Sequence, residues 1–171
     1  MPRFHDLAPE DMTPEQRAVV EAIVAGPRGE LGGPFPTLLR SPELADRVQA
    51  LGETIRFRSS LPPSCRELAI LAVASRWEAA YEWQAHQEIA LQVGVEPEAI
   101  EAIRAGRRPD LPAGEHAAYA FVREIVETGR VSDEAFAAAH EAFGDEGVVD
   151  LLGLAGYYTL LAFVLNANDV G

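Results

Sequence analysis

The sequence predicts an all-α fold, and three observations support this. Helix start and stop signals recur along the chain, from the capping box of Thr13 and Gln16 to the glycines that follow several apolar segments. Between these signals apolar residues recur at helical spacing, and no segment convincingly predicts a strand. The chain has 171 residues, of which 48 % are hydrophobic and 24 % charged, so it can form one domain with a sizeable core.

The N-terminal part of the chain predicts a helix followed by a loop. The helix is expected to begin at Pro14, because proline suits the first helical position, and to end near residue 25. Four glycines and three prolines make residues 26–37 a loop, with residues 34–36 extended and Phe35 turned inward. This loop could border a pocket, but we interpret it as a connector between helices.

The following helices are expected to begin at Ser41 and at Ser64. The core face of the first is expected to carry four apolar residues at helical spacing, which are Leu44, Val48, Leu51 and Ile55. In the second, Ser64 and Glu67 have the spacing of another capping box. Five further helices are predicted at residues 77–93, 96–105, 113–128, 133–143 and 146–166, with Gly94, Gly129 and Gly144 ending three of them.

Residues 147–165 are apolar over a length that raises the question of a membrane span. Asp150, Gly153 and Gly156 interrupt this segment, and no Lys or Arg flanks it, so we interpret it as a buried helix. A helix that is apolar on every side must be covered on every side, and in a domain of this size part of the cover is often another subunit. We therefore expect a homo-oligomer.

Charge and cysteine content limit the partners and the compartment. A net charge of −13 argues against nucleic acid and against an anionic membrane surface, because both need a basic footprint. A small-molecule substrate remains compatible with this charge. Cys65 is the single cysteine, so no disulfide can form within the chain. The N-terminal residues lack the apolar region of a signal peptide, and we expect a cytoplasmic protein.

Three residues are the candidate catalytic group: Glu67, Glu82 and His86. Glu82 and His86 are four residues apart, so on a helix they lie on one face and can touch. A carboxylate beside an imidazole raises its basicity and orients it, which suits proton transfer. The competing interpretation is a solvated polar pair on a helix surface. Glu67 either caps its own helix or joins the site, since one carboxylate oxygen cannot do both.

The spacing of these residues resembles a motif of the carboxymuconolactone decarboxylase/AhpD-like family of helical proteins. The peroxidase branch of that family has a Glu, two Cys and a His at this spacing; Glu67 and His86 match its ends, whereas Ala79 and Glu82 occupy the cysteine positions. The resemblance begins near residue 35, which divides the chain into an N-terminal arm, helix and loop at residues 1–34 and an AhpD-like domain at residues 35–171. It implies an AhpD-like helical bundle that assembles as a dimer, trimer or hexamer.

Because the cysteine pair is absent, the chain is more similar to the decarboxylase-like branch. The resemblance implies a cofactor-free enzyme that acts on a small lactone or carboxylate, with Glu82 and His86 moving a proton to or from carbon and Glu67 supporting them. A peroxidase role would need a thiolate and a resolving thiol, which a chain with Cys65 alone lacks. Two further hypotheses are a metal ion bound by these three side chains and a non-catalytic scaffold that binds a small ligand.

Several other residues are candidates for the wall of a pocket. Trp83 and Tyr157 are the candidates for contact with substrate, although the apolar last helix favours core packing with satisfied hydroxyls for Tyr157 and Tyr158. One of four nearby arginines could bind a substrate carboxylate, unless all of them form surface ion pairs: Arg56, Arg58, Arg66 and Arg76. No cofactor and no metal ion are predicted, and His5, His116 and His140 are expected to be exposed.

Overall fold

The computed structural model describes residues 2–5 and 7–169, and this part of the chain is helical without a strand, which confirms the predicted fold class. A short 3-10 turn at Pro9–Asp11 precedes the α-helices. The helices are α1 (Pro14–Ala25), α2 (Phe35–Leu38), α3 (Pro42–Phe57), α4 (Pro63–Arg76), α5 (Ala80–Gln92), α6 (Pro97–Arg104), α7 (Ala113–Thr128) and α8 (Asp133–Ala167).

Helix α4 lies at the centre of the molecule. It packs against α5, α6, α7 and α8, and every residue from Glu67 to Ala74 is buried. Helices α1 and α2 pack on α3, and α3 packs on α8, which α4 also contacts. The helix that is covered on every side by the chain itself is therefore α4, whereas the sequence pattern favoured the last helix.

The start of α1 follows its sequence signals. The Thr13 hydroxyl accepts a hydrogen bond from the Gln16 amide at 3.3 Å, and the Gln16 side chain accepts one from the Thr13 amide at 2.9 Å. This confirms the capping box. The Gln16 side-chain nitrogen also donates to the carbonyl of Leu39 at 2.9 Å, which ties α1 to the chain that follows α2.

Two predictions about the next segment are wrong. Residues 34–36 are not extended, because Phe35 begins the short helix α2, though its ring is fully buried as expected. On α3 the buried residues are Ala45, Val48, Gly52 and Ile55, while Leu44 and Leu51 are 47 % and 49 % exposed. Small residues allow the neighbouring side chains to approach α3 closely, so the two leucines lie beside the core face rather than on it.

The pair α4 and α5 also differs from its predicted boundaries. Helix α4 begins at Pro63 with Pro62 as its N-cap, so Ser64 lies inside the first turn and forms no cap. Helix α5 begins at Ala80 rather than at Trp77, because Glu78 has a φ of 51° and ends the helical path between them. Gly94 follows α5 with a φ of 91°, as predicted for a helix stop.

Helix α8 is long and apolar, with a change of direction at Gly144, where φ is 66° and ψ is −171°. The predicted end of one helix at Gly144 and start of another is thus seen as a kink. By length and composition α8 could cross a membrane, but half of its most apolar 18-residue window is buried inside the molecule, as in a core helix. The other half leaves Val149, Leu152 and Phe163 exposed at 64 %, 42 % and 50 %.

Candidate active site

The three predicted residues converge at the interface of α4 and α5. His86 lies between two carboxylates, with its Nδ1 2.7 Å from Oε2 of Glu67 and its Nε2 3.5 Å from Oε2 of Glu82. Glu67 and His86 are each 3 % exposed and Glu82 is 5 % exposed. The i,i+4 spacing on α5 places Glu82 and His86 on one face, and the packing of α5 on α4 brings Glu67 to the other side of the imidazole.

Both oxygens of Glu67 are used within the site. Oε2 contacts His86, and Oε1 accepts a hydrogen bond from Nε of Arg66 at 3.2 Å. Because α4 begins at Pro63, Glu67 is too far along the helix to cap it, and a helix-capping role is excluded. Glu67 therefore links Arg66 to His86.

This arrangement changes the pKa values of both partners. Burial opposes the charged form of His86, but the hydrogen bond to Glu67 and the negative charges of Glu67 and Glu82 outweigh it, so the pKa of His86 is raised above 6.5. Burial alone would raise the pKa of Glu67, yet the hydrogen bonds and charges of His86 and Arg66 lower it below its usual value. Both shifts favour the charged forms of the two groups, an imidazolium beside an ionised Glu67.

Glu82 and His86 form part of the wall of a cavity of about 160 Å³. Helix α8, Arg56 of α3 and the loop between α1 and α2 complete the wall. This loop therefore borders a pocket, and its interpretation as a connector only was wrong. The lining residues are Arg28, Glu30, Gly32, Pro34, Arg56, Tyr81, Glu82, Ala85, His86, Tyr157, Tyr158 and Leu161.

Two adjacent tyrosines of α8 close one side of the cavity. The Tyr157 hydroxyl accepts a hydrogen bond from Nη2 of Arg28 at 3.2 Å. The Tyr158 ring meets the His86 ring edge to face at 5.1 Å, and its buried hydroxyl has no hydrogen-bond partner among the described residues. Burial raises the pKa of Tyr157 and raises that of Tyr158 well above 10.0, so both phenols stay protonated.

Gly52 makes room for one of these tyrosines. A Cβ at this position of α3 would collide with the hydroxyl and the ring of Tyr157, and it would lie 3.0 Å from Nη2 of Arg28. The missing side chain thus lets the phenol reach Arg28 between α3 and α8. On the loop, Gly33 has a φ of 59° and a Cβ there would come within 2.6 Å of the Tyr81 ring.

Other candidates lie away from the cavity. The Trp83 indole donates to Oε1 of Gln87 at 3.0 Å and borders a separate groove with Ala79. Trp83 therefore lies outside the cavity, and the prediction that it lines the substrate pocket was wrong. Of the four arginines, Arg56 lines the cavity and Arg66 supports Glu67, whereas Arg58 pairs with Glu53 on the surface.

The remaining arginine and the histidines outside the site lie elsewhere on the molecule. The guanidinium of Arg76 lies 4.5 Å from the ring centre of Trp77. His5 and His140 are exposed as expected, while His116 is half-buried.

The ligands needed for metal or thiol chemistry are poorly placed. Within residues 2–5 and 7–169, no group of three or more His, Cys, Asp and Glu side chains is arranged to hold a metal ion. Cys65 is buried on α4, and burial raises the pKa of its thiol, which disfavours the reactive thiolate.

The family relation follows from the middle of the chain. The model of the carboxymuconolactone decarboxylase family matches residues 42–124, a segment that contains Glu67, Glu82 and His86. Residues 42–124 of the chain are therefore similar to this family. A search of curated protein sequences finds no match.

Solved structures show that the fold is AhpD-like. A peroxidase-related protein from Ralstonia eutropha JMP134, described as an alkylhydroperoxidase AhpD core, has a TM-score of 0.80 and 18 % identity over 99 % of this chain and 91 % of that one. The apo debrominase Bmp8 has a TM-score of 0.74 and 19 % identity over 96 % and 88 % of the two chains. ATU0492 from Agrobacterium tumefaciens has a TM-score of 0.66 and 20 % identity over 78 % and 93 %.

Proposed function

We propose that the protein is a cofactor-free enzyme of the decarboxylase-like type, which transfers a proton to carbon in a small lactone or carboxylate. One observation carries the proposal. His86 is a buried histidine with a carboxylate facing each ring nitrogen, and it lies with Glu82 at the wall of a cavity. A site that combines a cavity with titratable groups of shifted pKa is the expected setting for acid–base catalysis.

His86 is the proposed proton donor. The raised pKa favours the protonated imidazole, in which both nitrogens carry hydrogen. The Nδ1 proton is held by Glu67 at 2.7 Å, whereas Nε2 lies 3.5 Å from Glu82, longer than an ordinary hydrogen bond. The proton on Nε2 is therefore the one that can be released. Glu67, which Arg66 holds in place, positions the ring.

The proposed reaction needs only this proton. The bond between the substrate carboxylate and its carbon breaks, carbon dioxide leaves, and the electron pair enters the conjugated carbonyl group as an enolate. The proton on Nε2 of His86 forms the new C–H bond, directly or through Glu82. The neutral imidazole then recovers a proton from solvent, which its two carboxylate neighbours favour.

The test measures decarboxylation with no added cofactor or metal. The first compound is carboxymuconolactone, which the family name specifies, followed by other unsaturated lactone carboxylates, all in deuterated water. We expect deuterium at the carbon next to the lactone carbonyl, where the enolate formed by loss of carbon dioxide takes up its proton. His86→Gln should lower kcat by about 10²-fold or more, as is typical for loss of an acid–base group. His140→Gln, at an exposed histidine of α8, is the control and should leave kcat unchanged.

Two results would contradict the proposal. One is turnover by His86→Gln at the rate of the unaltered protein. The other is peroxide reduction with a thiol reductant that is lost in Cys65→Ser, which would assign the site to the redox role of the peroxidase branch.

A further inference from the structure

Tyr158 carries a polar group that the fold leaves unsatisfied. Its side chain is fully buried at the cavity wall, and its hydroxyl has no hydrogen-bond partner in the described part of the chain. An unpaired buried hydroxyl destabilises a folded protein, so proteins rarely retain one without a reason. The neighbouring Tyr157 differs, since its hydroxyl is bonded to Arg28. Because Tyr158 lines the cavity, a bound compound is a candidate partner for this unpaired hydroxyl.

The charges around the cavity are complementary to an anion. With His86 protonated, the charges of Glu67, Glu82, His86 and Arg66 balance one another. Outside this group the lining residues Arg28, Arg56 and Glu30 leave one net positive charge. The net charge of the whole chain is −13, so the positive charge at the cavity is a local feature and does not reflect the charge of the whole molecule.

Both arginines keep donors for a ligand. Neither forms an ion pair with a carboxylate among residues 2–5 and 7–169, and Arg28 is held by the Tyr157 hydroxyl and by the Phe35 ring at 4.5 Å. Arg56 lies 5.1 Å from the Phe57 ring centre. A guanidinium has five N–H donors, and a carboxylate can accept two of them at once.

We infer that the bound compound is recognised at two points, with Tyr158 donating a hydrogen bond to its carbonyl oxygen and with Arg28 and Arg56 binding its carboxylate. This inference concerns the site of the proposed function and deepens it by assigning an orientation to the substrate. The carbonyl end lies beside the His86 ring, and a hydrogen bond from Tyr158 would stabilise the negative charge that an enolate places on this oxygen.

The test is a binding experiment with three related compounds, measured by calorimetry. The first is 5-oxotetrahydrofuran-2-carboxylate, which has both a lactone carbonyl and a carboxylate. Tetrahydrofuran-2-carboxylate lacks the carbonyl, and γ-butyrolactone lacks the carboxylate. We expect the first compound to bind most tightly, because it alone satisfies both ends of the cavity.

The variant Tyr158→Phe separates ligand binding from folding. It should weaken binding of 5-oxotetrahydrofuran-2-carboxylate about tenfold and leave tetrahydrofuran-2-carboxylate unaffected, since the second has no carbonyl to bond. The same variant should raise the Tm of the ligand-free protein by about 2–4 °C, because it removes an unsatisfied hydroxyl. Tyr119→Phe is the control, since the buried Tyr119 lies on α7 and is not part of the cavity wall, so its variant should leave the binding of all three compounds unchanged.

Arg56→Met tests the other end of the cavity. It should weaken binding of both carboxylates about tenfold and leave γ-butyrolactone unchanged. Arg47→Met, at an exposed arginine of the same helix, should change none of the three affinities.

The inference is overturned if Tyr158→Phe affects all three compounds equally or none of them. It is also overturned if neither carboxylate binds at concentrations up to about 10 mM, or if γ-butyrolactone binds as tightly as the first compound. These measurements do not depend on turnover. Two-point binding without decarboxylation would support this inference and contradict the proposed function. Decarboxylation at an unaltered rate in Tyr158→Phe and Arg56→Met would support the proposed function and contradict this inference.

Discussion

At the scale of single residues, the Glu67–His86–Glu82 group makes stability depend on pH in a defined direction. The pKa of His86 is raised in the folded protein, so its contribution to the free energy of unfolding is full below about pH 6.5 and is lost as the pH rises through the folded pKa. The pKa of Glu67 is lowered, so its contribution is present above about pH 4.5 and is lost as the pH falls through its folded pKa.

We therefore expect His86→Gln to lower the free energy of unfolding most between about pH 4.5 and about pH 6.5. Near pH 6 it should lower the free energy of unfolding by about 3 kcal/mol, because it leaves two buried carboxylates without a cation. The difference from the unaltered protein should shrink as the pH rises above 6.5. Urea unfolding between pH 5 and pH 9 measures it, with His140→Gln as the control for histidine titration in the unfolded chain. A difference that grows with pH would contradict the raised pKa, as would an NMR titration midpoint of His86 below 6.5.

The sequence predicted this group of residues well because spacing on a helix determines which side chains meet. Glu82 and His86 share one face of α5, and the convergence of Glu67 required only that α4 and α5 be neighbours. The sequence did not predict the contribution of Arg28 to the cavity wall. The path of the glycine-rich loop that carries Arg28 depends on a contact between residues far apart in sequence, the packing of Gly33 on Tyr81. The spacing of residues along one helix does not predict such contacts.

At the scale of the elements, the fold class and most helices were predictable, but the face of α3 was not. Periodicity gave equal weight to Leu44 and Leu51 because both are large and apolar, whereas the buried positions beside them are Ala45 and Gly52. Small residues contribute little to a hydrophobic pattern, although they decide where two helices can approach most closely. The boundary between α4 and α5 was missed for a similar reason, since nothing in its composition marks Glu78 as left-handed.

The close approach at Gly52 yields a prediction about α3 and the cavity together. Replacing a helical glycine by alanine usually stabilises a helix by about 1 kcal/mol. In Gly52→Ala, however, the new Cβ collides with Tyr157, and such overpacking costs about 1–3 kcal/mol. We expect a net loss of stability of about 1 kcal/mol, together with weaker carboxylate binding, because Tyr157 must move away from Arg28.

Thermal unfolding and calorimetry with 5-oxotetrahydrofuran-2-carboxylate measure the two effects of Gly52→Ala. Gly114→Ala in α7 is the matched control, since a Cβ there meets nothing within 4 Å and should bring a gain in stability without a change in binding. If Gly52→Ala behaved like Gly114→Ala, the close contact with Tyr157 would not limit this position.

At the scale of the whole molecule, the exposed apolar residues are concentrated on two neighbouring helices. Leu44 of α3 and Phe163 of α8 line one surface hollow. Val149 and Leu152 lie further along α8, at the spacing of one helix face with Phe163. A folded monomer seldom leaves such a surface uncovered, and a second copy of the same chain is the commonest partner in oligomers of soluble proteins.

We propose that this surface joins copies of the chain, as the apolar character of the last helix led us to expect. The net charge of −13 on each copy opposes association, so the oligomer should become more stable as the ionic strength increases. Sedimentation velocity at micromolar concentration, at low and at high salt, is the measurement. Val149→Glu should shift the protein toward the monomer, because it places a charge in the contact. Leu91→Glu, at an exposed leucine of α5, should not. A monomer at both salt concentrations would exclude the oligomer, and an equal effect of the two variants would place the interface elsewhere.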